Sequence, residues 1–239
     1  MRSIYYDLEY LDKINPNYKD TRTLMNDVHT RGIDYVRVSL INSTDKVIPN
    51  RLEDDLLNFD TYGLNDLWTV FHSTPIERVT YDFDLNIDFR SIVISPEKVR
   101  EKEIIREKLI KDGKENALDA NGNQLKDSIG NAIQVDRMIT VRCEILEIRQ
   151  FKSADLNATI QYIDNTSQQV VQTYSLSSGY LFEHYYATHR GDRRALERRY
   201  TELIGFASAP FPSNEQMIYD AGQDLKWRVK NIIVNNRFR

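Results

Sequence analysis

Met138-Ile139-Thr140-Val141-Arg142-Cys143-Glu144-Ile145 sets apolar Ile139, Val141, Cys143 and Ile145 against polar Thr140, Arg142 and Glu144. That period of two half-buries a β-strand. The run continues to Phe151, and a polar break follows before a second run with Ile160 and Tyr162. Asp164-Asn165-Thr166-Ser167 then has the length and polarity of a hairpin turn. Val170, Val171, Tyr174 and Leu176 supply a third run. The centre of the core is therefore expected to be an antiparallel sheet of at least three strands.

Upstream, Val79, Tyr81, Phe83, Leu85, Ile87 and Phe89 alternate with Thr80, Asp82, Asp84, Asn86 and Asp88. One face is core and the other carries a ladder of carboxylates. Asp82, Asp84 and Asp88 suit a hard cation, but charges on the wet face of an amphipathic strand are the plainer explanation. Tyr35–Ile41 predicts another strand. Pro49 then starts a helix carrying Leu52, Leu56, Leu57 and Phe59. Leu64, Leu67, Trp68 and Phe71 predict that this helix resumes past Gly63. At the N-terminus, Ile4, Leu8, Leu11 and Ile14 recur at helical spacing as far as Asn15-Pro16-Asn17. Leu24, Met25 and Val28 follow after Thr21. Residues 1–31 thus read as a helical hairpin, the expected tail of a tetratricopeptide-type array whose further helices would precede Met1.

Downstream of the carboxylate ladder, Ser95-Pro96-Glu97 opens a run rich in Lys, Glu and Arg as far as Lys114. Helix and long charged edge strand both fit it. Asp119-Ala-Asn121-Gly122-Asn123 and Asp127-Ser-Ile-Gly130-Asn131 repeat one turn signal. An EF-hand needs Gly sixth and Glu twelfth, but Gln124 and Gly130 stand there, so turns of a protruding hairpin are expected. Tyr180–Thr188 is rich in aromatic β-formers. Asp192 suits the cap of a helix carrying Leu196, Tyr200, Leu203 and Ile204. Ser213 with Gln216 forms a capping box before a last helix with Ile218, Ala221, Leu225, Val229 and Ile232 on one stripe.

The whole reads as an α+β fold: a mixed, largely antiparallel sheet flanked by helices, with an N-terminal helical hairpin. Its divisions are 1–31 and 32–239, the latter with a charged insertion at about 98–135. With 239 residues, 41% apolar and 28% charged, the chain has the composition of an ordinary globular protein. A net charge of -4 supplies no general attraction for nucleic acid. No stretch is apolar enough for a transmembrane span. Cys143, the single cysteine, lies on the apolar face of its strand and reads as a small buried hydrophobe.

Chemistry-bearing side chains concentrate between Glu183 and Arg199. Arg190, Asp192, Arg193, Arg194 and Arg198 are the candidate binding residues, a mainly basic patch that suits an anion or an acidic partner. A rival reading is a metal-dependent hydrolase using Glu183, His184, His189 and Asp192. Its His-x4-His spacing is not that of a zinc protease, and strand parity sends the two histidines to opposite faces. No catalytic residue, metal ligand or cofactor is assigned.

Asp34–Asn42 followed by Pro49–Leu57 resembles the first strand and helix of the α/β domain of curli-secretion-channel and penicillin-binding-protein-activator lipoproteins. Tyr81–Arg90, Ile139–Ser178 and Ser213–Val234 fall in the matching order. Three segments resemble an uncharacterised lipoprotein-type family of Bacteroidota over about residues 30–235. They are Lys152-Ser153-Ala154, Gly191-Asp192-Arg193-Arg194-Ala195-Leu196 and Pro210-Phe211-Pro212-Ser213-Asn214-Glu215-Gln216-Met217. The resemblance implies an envelope location and a partner-binding role. With the absence of a catalytic constellation, the tyrosine-rich sheet and the flanking helices, the expectation is a non-enzymatic binding or assembly module contacting a protein partner. The expected location is periplasmic or outer-membrane-associated, as the resemblance implies, if the N-terminus is truncated; otherwise the N-terminus, with no apolar signal core, leads to a cytoplasmic expectation.

Overall fold

The computed structural model describes residues 1–58 and 64–235. Among them are five helices and six strands: α1 (Arg2–Ile14), α2 (Thr21–Gly32), β1 (Asp34–Asn42), α3 (Asn50–Leu57), β2 (Thr69–His72), β3 (Phe83–Ile94), β4 (Lys98–Asn116), β5 (Gln134–Asp164), β6 (Gln169–Gly191), α4 (Arg198–Leu203) and α5 (Asn214–Asn235). The strands form one mixed sheet ordered β2-β1-β3-β5-β4, with β6 paired to β5 off that path. The fold is α+β, largely antiparallel, and opens with a helical hairpin. Two compact units divide the chain: Met1–Ser95, Ser153–Leu181 and Pro212–Arg239 in the first, Pro96–Lys152 and Phe182–Phe211 in the second.

In the first unit, β1 runs parallel to both β2 and β3, while β3 runs antiparallel to β5. Register puts Val38 beside Leu85 and Leu85 beside Tyr162, and all three are buried. Ile87 beside Ile160 and Phe89 beside Ala158 continue that apolar face. Leu52 and Leu56 of α3, with Met217, Ile218, Ala221, Leu225 and Val229 of α5, are buried too. Each such Leu, Ile or Phe contributes about 1.5–3 kcal/mol by leaving water. Gly222 lets α5 approach α3, because a Cβ there would lie 2.4 Å from Leu52 Cδ1. The Ser213 hydroxyl accepts from Gln216 N–H at the start of α5, one half of the expected capping box, while the Gln216 side chain donates to Asp220 Oδ1 at 2.7 Å.

Three stretches depart from expectation. Leu67, Trp68 and Phe71 belong to no helix: a bend leads into β2, where Thr69 and Phe71 are buried and Val70 and His72 half-buried. Phe59 and Gly63 lie outside the described residues. The polar break after Phe151 does not exist, since β5 is continuous from Gln134 to Asp164 with Ala154, Leu156 and Ala158 buried at even positions. Likewise β6 runs unbroken from Gln169 through Tyr180–Thr188.

In the second unit, β4 settles the helix-or-strand question as a 19-residue strand antiparallel to β5. Val141, Cys143 and Ile145 are buried with Ala187, Ala195 and Tyr200, and Ile104, Ile110, Leu196 and Leu203 pack around them. Buried positions then switch from odd to even at Ile148, Gln150 and Lys152. Here the Gln150 side chain holds the connector after α4: its amide donates to Ala209 O and accepts from Ala209 N–H, both at 3.0 Å. The expected turns lie between β4 and β5. Asp119 Oδ1 accepts from the N–H of Asn121 and Asn123, and Asp127 Oδ1 from those of Ile129 and Asn131. Ala117, Ile133 and Leu125 close a ring, each donating its N–H to the next one's carbonyl.

Candidate binding surface

β6 ends at Gly191, whose φ of +108° turns the chain out of the sheet. Asp192 N–H donates to Arg142 O, and the Asp192 side chain caps a short 3-10 turn, Arg193–Ala195, by accepting from Arg194 N–H. The expected single helix is therefore split, with α4 starting only at Arg198. Arg194 makes a fork on Asp192, with Nη2–Oδ2 at 2.7 Å, and reaches Asp112 Oδ1 with Nη1 at 2.8 Å. Arg137 Nη2 binds the other Asp112 oxygen at 2.6 Å. The Arg194 hydrogen bond holds both Asp192 and Asp112 below the usual carboxylate range.

The five candidate binding residues thus divide. Arg194 and Asp192 form a clamp. Arg198 pairs with Glu202 one turn along α4. Arg193 Nε donates to His189 Nε2 at 3.1 Å and is exposed. Arg190 is exposed and has no ion-pair or hydrogen-bond partner among the described residues. It borders a cleft of about 360 Å³ lined also by Ile105, Leu146, Glu103 and Glu144. Two carboxylates beside one guanidinium make that cleft a poor anion site.

The structure does not bring the hydrolase set together. Glu183 pairs with Arg149 and accepts from Tyr185 Oη. His184 Nε2 donates to Ala207 O at 2.8 Å, while His189 Nε2 accepts from Arg193. The carboxylate ladder is likewise engaged: Asp82 accepts from Tyr35 N–H, Asp84 pairs with Arg37, and Asp88 with Arg90. Among the described residues no group of three or more His, Cys, Asp and Glu is placed to hold a metal ion. None of their helices is long and apolar enough to cross a membrane.

The N-terminal hairpin presents a different kind of surface. Its inner side is fastened by Arg2, which donates to Asp34 Oδ2 at 2.6 Å, Trp68 O at 3.1 Å and Gly32 O at 3.2 Å. Trp68 Nε1 donates to Tyr6 Oη at 2.8 Å, and the Tyr5 ring stands edge-on to Trp68 at 5.1 Å. Gly32 is needed beside Trp68, since a Cβ there would lie 2.6 Å from Cζ3. On the other side, Ile4 (50%), Tyr10 (67%), Leu11 (37%) and Ile14 (64%) are exposed, and no residue of α1 is buried. Positions 4, 11 and 14 share one stripe at helical spacing, with Tyr10 alongside. Sequence periodicity groups Ile4, Leu11 and Ile14 with Leu8 and assigns that face to packing; in the structure Leu8 is half-buried and Tyr10 joins the exposed side. Periodicity did not identify Arg2 or Trp68 as the fastening, because their partners lie thirty or more residues away.

No protein-family model matches the chain, and no curated protein matches it. Among solved structures, a neuraminyllactose-binding hemagglutinin homolog from Helicobacter pylori aligns with a TM-score of 0.32 and 10% identity. The alignment covers 84% of this chain and 82% of that one. A likeness that distant carries no argument about fold or function.

Proposed function

We propose that this chain is a non-enzymatic binding module that contacts a protein partner in an assembly of the cell envelope. The observation that carries the reading is α1: a helix fastened by Arg2, Tyr5 and Tyr6 while Ile4, Tyr10, Leu11 and Ile14 face solvent. An exposed apolar stripe on an anchored element is a usual core of a protein contact; here Ser3 and Asp7 lie within the stripe, Asp7 between Ile4 and Leu11, and give it polar groups of its own. Its spacing suits a partner that lays an apolar helix face along α1. The envelope setting is supported by the sequence resemblance of the Lys152, Gly191 and Pro210 segments.

In-cell photocrosslinking in the native host tests this. A photoreactive residue at Leu11 or Ile14 should yield one discrete protein adduct, and the same residue at Asp54 on α3 should yield none. Adducts absent from α1 but formed from Arg190 or Arg193 would move the contact to the basic patch and overturn the assignment to α1.

A further inference from the structure

β6 gives the sheet a second way to grow. From Gln169 to Leu181 it reads Gln-Val-Val-Gln-Thr-Tyr-Ser-Leu-Ser-Ser-Gly-Tyr-Leu, with no Asp, Glu, Lys, Arg or Pro. Among the described residues β6 pairs with β5 alone, so its other edge carries backbone N–H and C=O groups that no strand satisfies. Residues 169–173 are all exposed, Val170 at 52% and Val171 at 56%. The turn preceding them is already set, with Asp164 Oδ1 accepting from the N–H of Thr166 and Ser167. The strand is therefore held ready for pairing. β4 shows the opposite treatment: Lys, Arg, Glu and Asp outnumber its other residues, the usual protection of an edge against unwanted pairing.

We propose that the Gln169–Ser177 edge pairs antiparallel with the same edge of a second copy of this chain. The charge pattern argues for self-pairing. A two-fold axis sets each residue opposite a symmetry mate, and like charges placed opposite each other across a strand pair are destabilising. This edge places none. With the axis at Thr173, Val170 meets Leu176 twice, Gln172 meets Tyr174 twice, and Thr173 meets itself. Thr–Thr is a favourable cross-strand pair, and Val170 beside Leu176 removes apolar surface from water. Nine residues at 3.3–3.4 Å each give a seam of about 30 Å.

Sedimentation equilibrium of the full chain, with Thr173→Lys and Val171→Lys variants, tests the pairing. The wild type should sediment as a monomer–dimer system. Each lysine should raise the dimer dissociation constant at least tenfold, with the thermal midpoint of a dilute monomeric sample unchanged. In a Cys143→Ala background, mild oxidation of a Thr173→Cys variant should give a disulfide-linked dimer, because position 173 alone faces its own symmetry mate. A wild type that stays monomeric to about 0.1 mM, a range that covers micromolar association, would overturn the proposal. A dimer insensitive to both lysines would also do so. So would a monomer that binds a synthetic Gln169–Leu181 peptide without dimerising, which would assign the edge to a heterologous strand.

Discussion

Gly191 and Arg194 decide how β6 ends. A Cβ at Gly191 would lie 2.6 Å from Arg142 O, and φ there is +108°. Gly191→Ala should therefore cost about 1–3 kcal/mol, the usual range for forcing a side chain into such a conformation, read as a lowered denaturant midpoint. Three residues on, Arg194 depends on two carboxylates that it holds below their ordinary range. Groups with depressed folded-state values stabilise fully above the unfolded carboxylate value of about 4. They lose that contribution as pH falls through the lower folded value. The protection of the Arg194 and Ala195 amides against exchange, relative to the unfolded chain at the same pH, should fall on acidification below about pH 4, and Arg194→Gln should lower it already at neutral pH. Unchanged exchange in that variant would remove the clamp. The residue scale is also where sequence reading fell short: Arg190, Arg193, Arg194 and Arg198 look alike as four nearby cations. Nothing local shows that Asp112, eighty-two residues away, occupies Arg194 while Arg190 stays open.

At the scale of elements, α1, α2, β1, α3 and α5 were legible because each carries one dominant period. β2 was not. Leu64, Leu67, Trp68 and Phe71 mimic helical spacing, and a four-residue strand is too short for alternation to outvote it. In β5, Lys152, Ser153 and Asp155 imitate a loop, yet Lys152 is buried and paired with Glu97 at 3.6 Å. β4 offered no apolar face clear enough to separate strand from helix, and its identity comes from long-range pairing with β5. The tandem turns were read correctly because Asp, Gly and Asn at fixed offsets set the backbone locally. Asp127 accepts from two N–H groups and the Asn131 side chain, as Asp119 does from its own turn. Asp127→Ala should speed amide exchange at Ile129 and Asn131 at least tenfold while leaving the global melting temperature within about 1 °C, as for a local opening. A fall of several degrees would show that the tip is coupled to the core.

Over the whole molecule, the α+β class and helical hairpin followed from composition and periodicity, whereas the proposed contact surface did not. Side-chain chemistry drew attention to Glu183–Arg199, where the rival set of Glu183, His184, His189 and Asp192 resolves into separate structural bonds. The stripe on α1 carries no such chemistry. Its meaning depends on exposure, which requires the folded chain. Substituting that stripe is therefore the most direct test of the proposed role. Leu11→Glu/Ile14→Glu should leave thermal stability within about 0.5 kcal/mol, since neither side chain is buried. In its native host the variant should lose the crosslinked partner seen with wild type, while Arg193→Glu retains it. A double variant that keeps the partner at wild-type yield would contradict a protein contact through α1.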